Sequence, residues 1–188
     1  MQNYKELLAN LEKHENTFSR GSADPNKALV AEDYSKLLKS FVEEHPAQSG
    51  MHMKYFGRYH QHLVQNGPNK QHIDAAIQAY EKCLSFTSNS SNVAMWAQFI
   101  DFMEGLEETN KKLQGEDQAA LESERELKLK QVFERALENV GFSHMASSEI
   151  WIKYIDFETT RNNLSLVNLL CYMALETPLT DGQQILDK

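Results

Sequence analysis

The stretch MWAQFIDFMEG, residues 95–105, sets Trp96, Phe99 and Phe102 three apart, and IWIKYIDFET, residues 150–159, sets Trp151, Tyr154 and Phe157 in the same register. Side chains three and four apart share one face of an α-helix, so each ladder predicts a helix carrying an aromatic stripe. A motif that recurs within one chain marks a repeat architecture and outranks local signals in deciding the fold. A fainter copy lies upstream in MKYFGRYHQHL, where Phe56 and Tyr59 take the first two rungs and His62 the third.

A second helix follows each ladder: AAIQAYEKCLSF (Ala75 to Phe86), LKQVFERALENV (Leu129 to Val140) and LVNLLCYMALETP (Leu166 to Pro178). The unit is therefore a helical hairpin. Val132, Phe133, Ala136 and Leu137 form one face of their helix, and Tyr80, Leu84 and Ala174 fill corresponding inner positions. Neither helix of a hairpin buries such a face alone, so hairpins must stack on their neighbours. Trp96 and Trp151 are expected to lie buried between the paired helices of their own hairpins. Ala136 and Ala174 are expected where helices cross closely, because a larger side chain would overpack.

Nine helical segments are expected. Tyr4, Leu7, Leu8 and Leu11 make one stripe and Tyr34, Leu37, Leu38 and Phe41 another, giving a degenerate first hairpin over residues 3–45. Hairpins over 49–86, 91–139 and 147–177 follow, with a further helix beginning after Thr180, all within one domain of residues 1–188. Asn66-Gly67-Pro68 breaks the second hairpin, and a serine ahead of each strong ladder (Ser90 or Ser91, Ser147 or Ser148) suits an N-cap. The acidic stretch from Glu104 to Gln118 shows no apolar periodicity and reads as a solvated, mobile loop, the first internal site of proteolysis.

These residues resemble a known family. Trp, an aromatic three on, then Phe-Glu, followed by Val-Phe-Glu-Arg-Ala-Leu, is similar to the HAT (half-a-tetratricopeptide) repeat of RNA-processing proteins. Trp151, Tyr154, Phe157 and Glu158 fit its first helix, and residues Val132 to Leu137 its second. Met103 stands where the acid belongs in the earlier copy, and Cys171, Tyr172 and Met173 replace Phe-Glu-Arg in the last. The run from Val132 to Leu179, with Val140-Gly141, Ser148 and Thr177-Pro178, resembles the amino-terminal HAT domain of the U1 snRNP-associated pre-mRNA-processing factor 39 family, in which the same hairpin is stretched. The resemblance implies an all-α, right-handed solenoid of about four HAT-like hairpins. It also implies a nuclear splicing scaffold that binds proteins in or beside the U1 particle during 5′ splice-site recognition, with dimerisation through repeats that this chain does not show.

Composition agrees with a folded chain: 188 residues, 41% hydrophobic, with 8 Gly and 4 Pro. The longest nearly apolar stretch, Leu166 to Leu175, falls well short of a membrane span, and the opening residues show no signal-peptide core. Two cysteines, Cys83 and Cys171, are too few for a disulfide framework. Both are expected to pack as small hydrophobes. His60 and His62, two apart on a helix, point in opposed directions and do not suit one metal ion. Gly-rich phosphate loops, GxSxG, HExxH and CxxC are absent from the sequence, so a non-enzyme without cofactor is expected. A net charge of −8 argues against a broad phosphate-binding surface. The ladders also lack interleaved bases, since Ala97, Gln98, Ile100 and Asp101 flank the Trp96 rungs. Any RNA contact is then indirect or weak, through protein partners, and the alternatives are a HAT scaffold of mRNA 3′-end cleavage and polyadenylation or rRNA processing, or a direct RNA-binding helical repeat.

Overall fold

The structure is a computed structural model that describes residues 4–19, 27–45, 48, 50–55, 70–110, 118–180 and 182–186. Regular structure among them is helical throughout. In chain order the elements are α1 (Tyr4–Ser19), α2 (Lys27–Glu44), α3 (residues 50–55), α4 (Lys70–Leu84), α5 (Thr87–Ser90), α6 (Val93–Asn110), α7 (Gln118–Ala136), α8 (Ser148–Thr160), α9 (Leu164–Leu175) and α10 (Gln183–Leu186). Two compact units are present, Met1–Asn89 and Ser90–Lys188. No helix among the described residues is long and apolar enough to cross a membrane.

In the first unit α2 packs against α1 and α4. Leu7 and Leu11 of α1 meet this core through their i, i+4 spacing, Leu38, Phe41 and Val42 come from α2, and Ile73, Ala76, Ala79, Tyr80, Cys83 and Leu84 from α4. Tyr55 of α3 is buried edge-on to Phe41, with ring centroids 6.1 Å apart.

The second unit holds both strong ladders. Trp96, Phe99, Ile100, Phe102, Met103 and Leu106 of α6 are buried, and so are Leu129, Val132, Phe133 and Ala136 of α7. Ile150, Trp151, Tyr154, Ile155 and Phe157 come from α8, which packs against α6, α7, α9 and α10. Ile185 of α10 is buried as well.

Several local expectations need correction. The helix of the Trp96 ladder, expected to end near Leu106, runs on to Asn110, so residues 107–110 are helix and not loop, with Leu106 extending the Phe99, Phe102, Met103 stripe into the core; residues 111–117 lie outside the described residues. Asn92, not Ser90 or Ser91, caps α6, its Oδ1 accepting the Ala94 N–H at 3.1 Å. Ser147 occupies the N-cap position of α8 without capping it. Its hydroxyl turns back to the carbonyls of Gly141 (2.8 Å) and His144 (2.7 Å). The α7 helix widens into a π-turn over Leu137–Gly141, which periodicity did not signal.

The α8–α9 corner is a Schellman turn. Asn163 N–H reaches Glu158 O (3.1 Å), Asn162 N–H reaches Thr159 O (3.0 Å), and Asn162 takes the left-handed conformation at φ 57°. Asparagine tolerates that region better than any branched residue.

Candidate functional site

The residues expected to form the repeat core are placed as follows. Tyr80 and Leu84 are buried in the first unit, and Trp96, Phe99, Phe102, Phe133, Ala136, Leu137, Trp151, Tyr154, Phe157 and Ala174 are buried in the second. Phe56 and Tyr59, like His60 and His62, lie outside the described residues.

Within the second unit the ladder of α8 closes directly on α7. Phe133 stacks on Tyr154 with ring centroids 4.8 Å apart and planes 6° from parallel, and Phe157 tilts against Phe133 at 5.3 Å. Offset aromatic pairs of this kind add to the stabilisation from area alone. Arg135 lies over the Trp96 ring at 5.6 Å. The Glu134 carboxylate stands 3.5 Å from the Tyr154 hydroxyl. Burial, then the nearby Glu134 and Glu158, push that phenol above its ordinary range, so it stays protonated.

Each ladder tryptophan also ties its helix to the preceding turn. Trp96 Nε1 donates to Ser90 O at 2.8 Å, and Trp151 Nε1 donates to Gly141 O at 3.1 Å. The Gly141 carbonyl thus receives two donors, the indole and the Ser147 hydroxyl, because the π-turn leaves it pointing out of the helical ladder. A side chain on Gly141 would meet Leu137 Cδ2 at 2.7 Å and Cβ at 3.1 Å. Glycine here leaves room for the buried Leu137 side chain.

Glu158, the acid of the repeat motif, is only 3% exposed. Its carboxylate accepts Asn163 Nδ2 at 2.8 Å and lies 3.6 Å from Lys130 Nζ, joining α8 to α7 and to the following corner. Arg161 completes that corner: its Nε donates to Glu126 Oε1 at 2.6 Å, and its guanidinium lies 3.5 Å from the Phe157 ring centroid. On the other side of α8, Lys153 pairs with Asp101 (2.6 Å) and Glu104 (3.6 Å) of α6. Partial burial opposes its charge, but Asp101, Glu104 and Glu149 together outweigh that and raise its affinity for the proton.

The first unit contains a polar trio that the sequence reading missed. The Sγ of Cys83 lies 3.3 Å from His52 Nδ1, and Asn89 Nδ2 donates to the Cys83 carbonyl (3.0 Å) and sulfur (3.3 Å). All three residues are fully buried. Cys, His and Asn are the residue types of a thiol hydrolase, where a nucleophile requires the thiolate–imidazolium form. Here burial pushes the thiol up to about 12 and lowers the imidazole to about 4, against an opposing hydrogen bond to the His45 backbone. The proton stays on sulfur, and the trio acts as a core hydrogen-bond network. No signal short of the tertiary contact, 31 residues long, links His52 to Cys83. Among the described residues no group of three or more His, Cys, Asp or Glu side chains is placed to hold a metal ion.

The chemistry of this arrangement is mechanical. Aromatic ladders, indole-to-carbonyl ties and a buried glutamate fix helix on helix, as a repeat protein requires. Residues 1–188 match the family described as PRP39 N-terminal HAT repeat. The chain belongs to that family. No curated protein sequence matches it.

Proposed function

We propose that the protein is a non-catalytic helical-repeat scaffold of pre-mRNA splicing, holding protein partners in or beside the U1 snRNP in the nucleus during recognition of the 5′ splice site. The observation that carries this reading is membership of the PRP39-type HAT family along residues 1–188. Its side chains support it: the aromatics at ladder positions are spent on packing, and the cysteine best placed for chemistry is locked as a thiol. Stacked hairpins offer extended surfaces whose exposed side chains select partners.

Affinity purification of the tagged chain from nuclear extract tests the proposal. Retention of U1 proteins is the expected result. Retention of cleavage and polyadenylation factors, without U1 proteins, would move the scaffold to 3′-end processing and overturn the splicing assignment.

A further inference from the structure

No further inference is drawn: the strongest candidate, the surface patch formed by the exposed Phe142 and Met145 on the turn that joins the π-turn of α7 to α8, is an apolar patch for which nothing in the structure shows what covers it.

Discussion

At the scale of single residues, the two ladder tryptophans do the same work with different carbonyls. Each fills the hairpin interior and ties its helix to the turn before it. Trp151→Ala should therefore destabilise by roughly 3 to 5 kcal/mol, the transfer and cavity terms together. Trp151→Phe keeps much of the ring and should lose only about 1 to 2 kcal/mol, since Ser147 still donates to Gly141. Urea unfolding gives both numbers; a Trp151→Ala midpoint equal to wild type would refute the packing role. His52 yields a pH prediction. Burial holds it near 4 in the folded state against an ordinary value of 6.5, so between those values the unfolded chain binds a proton that the folded chain refuses. Its contribution is complete above about pH 6.5 and is lost as pH falls toward 4, on the order of 3 kcal/mol in all. Stability measured from neutral pH down to about 4.5 should fall more steeply for wild type than for His52→Gln. Parallel curves would show that His52 is not the group responsible.

At the scale of elements, the α8–α9 corner carries the sharpest test. Asn162 sits at φ 57°, where a branched side chain is strained. Asn162→Val should cost about 1 to 2 kcal/mol in thermal unfolding while Asn162→Gly stays within a few tenths of wild type. Equal losses from both would point to the asparagine side chain instead of the backbone. The same corner shows what a sequence carries and what it hides. Helices α6 to α9 are legible because aromatic and aliphatic residues recur every three or four positions, and that period is a property of one strand of chain. Their ends are less so: Asn92 and Ser147 are both plausible caps, and only the first turns its oxygen to the helix. The π-turn leaves no trace in periodicity because it adds one residue to a turn whose neighbours still read as helix. Glu158 and His52 look like surface residues until their partners arrive, and both are buried by contacts that cross from one helix to another.

For the molecule as a whole, charge decides between protein and nucleic acid as the direct ligand. Affinity for a phosphate backbone grows with the number of cations free to neutralise it. Residues 90–188 hold nine Lys and Arg, and four of these are already engaged: Lys128 with Glu124, Lys130 with Glu158, Lys153 with Asp101 and Glu104, and Arg161 with Glu126. Arg135 is placed over the Trp96 ring. Residues 1–89 are electrically balanced, so neither unit concentrates positive charge in its sequence. Among the described residues the ladder aromatics Trp96, Phe99, Phe102, Trp151, Tyr154 and Phe157 are buried and so closed to stacking on bases. The chain should accordingly bind generic single-stranded RNA no tighter than about 10⁻⁴ to 10⁻⁶ M at physiological salt, the non-specific range. Fluorescence anisotropy with a labelled unstructured RNA across a salt series measures this. Submicromolar affinity with a steep salt slope would reveal a basic groove assembled from distant residues and would make the protein an RNA binder in its own right. Weak binding with a shallow slope leaves protein surfaces as the means by which the proposed scaffold would take its place on an RNA-bearing particle.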